Sequence, residues 1–412
     1  RAERVAEVDY DVVETSDIFD PANGSLMLPS LKQGERGPNA RRFIVVDEVV
    51  YEFYGKKIHE YFDAQNVVYR VLPVCSNEKN KGFELFFEIA KELDAFGLNR
   101  RSEPLIIIGG GVLTDVASMV ASCYRRGTPC IRVPTTLMGV VDAAIGVKTA
   151  VNWNGAKNRI GTFDPPLACV LDRGFLGTLP LRHILNGVGE IMKLALIRDA
   201  ELFELLETRG KSAIADRFQT TGMEICRRSI QGMLEELEPN LFEDDLERVV
   251  DFGHTFSPLL EMVDIDGLLH GEAVAIDCAF STILAQERGW ISQFVANRVL
   301  NTMSDLGLPV YHSLLDADML WEGLQERTTH RDGFQRVPLM TGIGHAAFAN
   351  DITHAELARA ITVWRERCGR HSTPANEARA VAEAHGDARG HGYPPRVLAS
   401  SVRASARQAF CE

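Results

Sequence analysis

The first 180 residues alternate short β-branched runs with stretches of helical period: RRFIVVD, YEFYGKKIHEYF, VVYRVLPV, a charged amphipathic stretch through KELDAFGL, then PLIIIGGG. Strand–helix alternation of this kind builds a parallel sheet with helices packed on its faces. From Leu181 onward the pattern is long and helical, through EIMKLALI, ELFELLETRGKSAIADRF, TTGMEICRRSIQGMLEELE, EAVAIDCAFSTILAQERG and SQFVANRVLNTMSDLGLP, with strand-like runs nearly absent. A chain of 412 residues exceeds one comfortable core. The expectation is therefore an α/β domain over 1–180 and an α-helical domain over 181–369, meeting near GFLGTLP. Residues 370–412 are rich in Ala, Arg, Gly, His and Ser and can bury little, so a mobile tail is expected there.

A net charge of −13 argues against nucleic-acid or anionic-membrane partners, so an anionic substrate has to be met by a local basic cluster. Eight cysteines at irregular spacing, with no CxxC pair, read as reduced thiols of a cytoplasmic protein. No long apolar run and no basic-then-apolar N-terminus point to the membrane or to export. Every lysine lies at or before Lys211. Lysine chemistry must come from the α/β half or from the first helices after it.

IIIGGGVLTD, residues 106–115, sets three glycines between an apolar strand and a helical stretch. Such a turn lets backbone approach a pyrophosphate at a helix N-terminus, although the spacing is not GxGxxG and a plain tight bend is the alternative. Asp47 closing FIVVD, as a ribose-binding acid does, and the hydroxyls of VPTTL favour a nucleotide. DAAIGVKTAVNWNGAKNRIGTF holds Asp142, Lys148, Lys157 and Asn158. It reads either as a solvated loop or as an anion site, the latter favoured because Lys148 stands between apolar residues, where an ammonium is costly without an anion. In NGVGEIMKLALI, Glu190 and Lys193 are one turn apart on a helix apolar nearly all round, which favours a metal ligand beside an anion binder over a surface pair. In DFGHTFSP, Ser257-Pro258 fits an N-cap followed by proline at the first helical position, so His254 precedes that helix. His270 starts another. Two histidines and a glutamate are a known catalytic zinc set, yet without HExxH the spacing leaves packed core histidines as the alternative.

These motifs in this order resemble the dehydroquinate synthase-like sugar phosphate cyclases, from about Arg42 to about Gly344: GGGVLTDVA, RVPTTL, GVKTAVN with AKNRIGTF, FLGTLP then GEIMK, FGHTF and LHGEAVAI. The resemblance implies a Rossmann-like NAD-binding α/β domain and a helical metal-binding domain with the active site between them. It implies zinc, with cobalt as the alternative ion, on Glu190, His254 and His270. NAD contacts would include Asp47, Glu78, Lys81, Gly110, Gly111, Asp115, Thr135, Thr136, Lys157, Thr178 and Leu179. Asp142, Lys148, Asn158 and Lys193 would meet a small-molecule sugar phosphate, and Arg126 would reach its phosphate from the other subunit of a homodimer. The implied reaction oxidises a ring hydroxyl with NAD, eliminates phosphate, re-reduces the ketone and closes a carbocycle by intramolecular aldol addition, without net redox change.

Departures narrow the branch. Dehydroquinate synthases grip their substrate's carboxylate with a lysine and an arginine in the helical half. Here that lysine cannot exist, and Arg248 is one place out of register. Pro258 and Asp251 replace a histidine and an asparagine of that family. Leu237, Asp251, His330 and Pro338 resemble the set of the 2-epi-5-epi-valiolone synthase branch, which implies cyclisation of sedoheptulose 7-phosphate. Alternatives are another sedoheptulose 7-phosphate cyclase giving desmethyl-4-deoxygadusol or 2-epi-valiolone, a 3-dehydroquinate synthase, a metal-dependent polyol dehydrogenase, or a non-catalytic NAD-binding protein.

Overall fold

The computed structural model describes residues 8–27, 41–264 and 267–369, all within one unit. The tail expected to be mobile lies outside the described residues. Six parallel strands form the main sheet: β1 (Asp11–Thr15), β2 (Arg42–Asp47), β3 (Tyr69–Val74), β4 (Leu105–Gly109), β5 (Cys130–Pro134) and β8 (Ala168–Asp172), in the order β1-β8-β5-β4-β2-β3. The continuous apolar runs of β2 and β4 are the mark of strands buried on both faces. Phe43, Val45, Leu105 and Ile107 pack on one face with α2 (Phe83–Phe96) and α3 (Gly111–Cys123). The alternate residues Ile44, Val46, Ile106 and Ile108 pack on the other with α1 (Glu48–Ala64).

After the sheet come α4 (Leu181–Ile197), α5 (Ala200–Ala215), α6 (Met223–Leu237), α7 (Ser257–Val263), α8 (His270–Glu287), α9 (Gln293–Asp305), α10 (Ala317–Thr329) and α11 (His354–Cys368). Gly271 to Ala285 of α8 are all buried, so this helix is enclosed on every side within the helical half. The helical expectation needs one correction: β9 (Val337–Gly342) and β10 (His345–Ala349) form an antiparallel hairpin there. The segment for which a solvated loop was the alternative to an anion site is also more regular than that alternative. It contains the antiparallel hairpin β6 (Lys148–Trp153) and β7 (Ala156–Phe163). Because β7 is largely exposed, it lacks the apolar alternation that announces a strand. The seven cysteines among the described residues are free, and no helix among those residues is long and apolar enough to cross a membrane.

Candidate active site

Strand order reverses between β2 and β4, and an open parallel sheet binds ligands at such a switch point, beyond the carboxyl ends of its strands. Asp47 ends β2 there, accepting from the amides of Val49 (3.0 Å) and Val50 (3.4 Å) and from the Ser76 hydroxyl. Gly110 and Gly111 open α3, and the Thr135 amide donates to the Gly109 carbonyl at 3.0 Å. A methyl group on Gly110 would stand 3.1 Å from the Thr136 methyl, so glycine keeps the turn accessible to a pyrophosphate. Beside it Lys81, almost fully buried, binds Asp115 Oδ2 at 2.5 Å and Asn158 Oδ1 at 2.6 Å. Asn158, expected to meet substrate, is thus engaged with the nucleotide-side lysine. Glu78 Oε1 accepts from Asn152 and lies 3.7 Å from Lys157 Nζ. Thr178 donates to the Phe175 carbonyl and Leu179 carries its carbonyl to Arg217, both in the turn after β8.

A second cluster joins α4, α8 and the loop before α7. Gly189 and Gly271 bring α4 and the start of α8 into backbone contact, since a methyl on Gly189 would overlap the Gly271 carbonyl and one on Gly271 the Asn186 carbonyl. That approach sets Glu190 Oε1 3.2 Å from His270 Nε2. His254 follows Gly253, whose φ of +73° reverses the chain, and its Nε2 is 3.5 Å from the same oxygen. Tetrahedral zinc with bonds near 2.0–2.1 Å holds ligand atoms roughly 3.3 Å apart. Glu190 is fully buried, where a carboxylate is costly without cations, and with both imidazole Nε2 atoms turned to its Oε1 the three residues fit a metal.

The imidazoles are turned for this role. His254 Nδ1 donates to the Phe252 carbonyl at 3.2 Å, and His270 Nδ1 meets Glu261 Oε1 at 2.9 Å, so each ring presents Nε2 to Glu190. Burial, aided by Lys193, pushes His254 down to about 4 and keeps it a neutral ligand. Burial would also lower His270, but Glu261 and Glu190 raise it well above the ordinary range. Glu261, which the sequence reading missed, also binds Lys157 at 2.7 Å and so joins this cluster to the nucleotide crevice. Its signal was faint: one acid in the short apolar helix SPLLEMV.

The expected Ser257 cap is corrected. Ser257 is already helical, Phe256 holds the cap position, and the caps come from Asp277 of α8, whose Oδ2 accepts from the amides of Phe256 (2.6 Å) and Ser257 (2.9 Å). A cap from another helix leaves no local sequence sign. Replacing Asp277 by alanine is expected to cost about 1–3 kcal/mol by orphaning these donors, and an unchanged urea midpoint would contradict this role.

Between the clusters lies the candidate substrate region. Lys193 binds Glu190 Oε2 at 2.6 Å and is buried. Asp142 lies in a π-helical turn, Gly139–Ala143, a form frequent at functional sites. Burial and then the like charge of Glu190 raise its carboxyl, while Lys193 opposes. Fully buried Arg132 anchors the following backbone, donating to the Gly146 and Asp164 carbonyls. Lys148 requires a correction: its side chain is 57% exposed and pairs with Glu243 at 2.5 Å, so it is not the buried ammonium its apolar neighbours suggested. Both oxygens of Asp251 are taken by guanidinium groups, Arg248 on Oδ1 and Arg327 (3.0 Å) and Arg331 on Oδ2. Leu237 ends α6 half-buried, His330 is exposed between Arg327 and Arg331, and Arg126 is exposed in the turn after α3, with a φ of +64°.

The family model for the 3-dehydroquinate synthase N-terminal region matches residues 71–186, and that for its C-terminal region matches 187–328. A 2-epi-5-epi-valiolone synthase of Actinomyces sp. is 46% identical over 376 residues, 90% of this chain and 98% of that protein. The demethyl-4-deoxygadusol synthase of Trichormus variabilis is 37% identical, over 88% of this chain and 89% of its own. Among solved structures, ValA, the 2-epi-5-epi-valiolone synthase of Streptomyces hygroscopicus subsp. jinggangensis 5008 with NAD+ and Zn2+ bound, superposes with a TM-score of 0.84 at 44% identity, covering 89% of this chain and 99% of that one. With the two family regions adjoining, and relatives this similar along nearly their whole length, the chain belongs to the 3-dehydroquinate synthase family.

Proposed function

We propose that this enzyme is a sugar phosphate cyclase of the 2-epi-5-epi-valiolone synthase type, which converts sedoheptulose 7-phosphate to 2-epi-5-epi-valiolone and phosphate. NAD is assigned to the crevice of Asp47, Gly110, Gly111 and Lys81, and a divalent ion, zinc as in ValA, to Glu190, His254 and His270. The carrying observation is the fully buried Glu190 carboxylate, whose Oε1 faces two imidazole Nε2 atoms while Lys193 holds the other oxygen. When bound, the ion supplies a Lewis acid for the hydroxyl to be oxidised. Burial opposes charge on Lys193, but Glu190 and Asp142 raise it above the ordinary lysine range. It therefore stays a cation, placed to offset phosphate or enolate charge as it develops. Arg126, exposed and apart from the other groups, is assigned to the phosphate site of a second copy in a homodimer.

Incubation with sedoheptulose 7-phosphate, NAD and Zn2+ is expected to release one phosphate per 2-epi-5-epi-valiolone, identified with its stereochemistry by NMR, without accumulation of NADH. Desmethyl-4-deoxygadusol as sole product would overturn the branch assignment. Sustained NADH from a simple alcohol would favour a polyol dehydrogenase.

A further inference from the structure

We propose that Asp251 is a built-in carboxylate filling an anion site made by Arg248, Arg327 and Arg331, so that the substrate's own anion is confined to the lysines. The inference rests on the cyclase reading above and deepens it to specificity. Three guanidinium groups from separate places converge on this carboxylate: Arg248 precedes it by three residues, Arg327 lies on α10, and Arg331 lies just beyond that helix. Their side chains are 13–14% exposed and that of Asp251 is 8% exposed, so the cluster is largely withdrawn from solvent. Glu243 takes Arg248 from its other side and Lys148 as well, so two carboxylates face three guanidinium groups and one ammonium. The Nε atoms of Arg248 and Arg327 are buried with no hydrogen-bond partner among the described residues.

A planar guanidinium fork matches any carboxylate or phosphate. Open, the site would compete with Lys148 and Lys193 for the sugar phosphate, or would select a substrate that carries a carboxylate. A tethered carboxylate outcompetes a free anion because its effective concentration is high. The arrangement is also tied to the metal-facing loop, since Arg327 donates to the His254 carbonyl at 2.8 Å.

Asp251→Ala would open the site, with sodium formate as the probe. Calorimetry is expected to show formate binding to the variant and none to the parent. Phosphate release from sedoheptulose 7-phosphate should fall about 100-fold, as for truncation of one partner in a buried charge cluster, and added formate should restore part of it. Formate that binds both proteins alike, or neither, would overturn the proposal. Should Asp251→Ala not fold, Asp251→Ala/Arg331→Gln removes one cation and carries the same measurement. If the parent released no phosphate, the cyclase reading would fall, whereas formate binding needs no turnover and would still decide this one.

Discussion

Glutamine at position 190 is expected to strip the metal from the enzyme and lower phosphate release by about 10³-fold, the scale of losing a preorganised electrostatic group in a dry site. The change is nearly isosteric, so the argument is one of charge. The parent carboxylate faces two neutral-capable imidazoles with one oxygen and Lys193 with the other, from a fully buried position. An amide offers a weaker donor atom and leaves Lys193 as a buried ammonium beside an uncharged group. Breaking a buried pair in this way costs roughly 3–5 kcal/mol, so Glu190→Gln should also unfold at lower urea. Metal content after dialysis, measured by atomic emission, is the direct test. Parental metal stoichiometry in a folded variant would remove Glu190 from the ligand set.

The α/β half was legible because its central strands are buried on both faces and read as unbroken apolar runs, and because three glycines span the end of β4 and the start of α3. Strands with one wet face were harder. Lys148 shows why. Lys148 opens β6 and is exposed, although Val147 before it and Thr149, Ala150 and Val151 after it are buried. Apolar flanks therefore said nothing about its own surroundings.

Glu190 and Lys193 were readable because a helical turn fixes their relation, and the geometry keeps them 2.6 Å apart on α4. Glu261, Asp277, Arg327 and Arg331 were not. Each acts across a tertiary contact: Glu261 on Lys157, Asp277 on the start of α7, and Arg327 and Arg331 on Asp251. Arginines on a charged helix such as LQERTTHR read as solvated until the fold turns them onto a buried carboxylate.

Lys193→Ala is expected to reduce phosphate release by about 10²–10³-fold while metal and NAD still bind. Lys193 is the buried cation between two carboxylates, paired with Glu190 and drawn toward charge by Asp142 as well. Without it, Asp142 and Glu190 repel each other with nothing between them, and Lys148, exposed and paired with Glu243, is not placed to take over. The loss should fall on phosphate departure and not on hydride transfer, because the crevice of Asp47, Gly110 and Lys81 is untouched. Rapid mixing of the variant with sedoheptulose 7-phosphate is therefore expected to build enzyme-bound NADH that persists, where the parent returns the hydride and shows none at steady state. Lys193→Arg should not rescue, since a guanidinium is bulkier than the ammonium this closed site accommodates. Phosphate release at the parental rate in Lys193→Ala would sink the assignment, and a variant with neither NADH nor phosphate would move the role of Lys193 to the oxidation step.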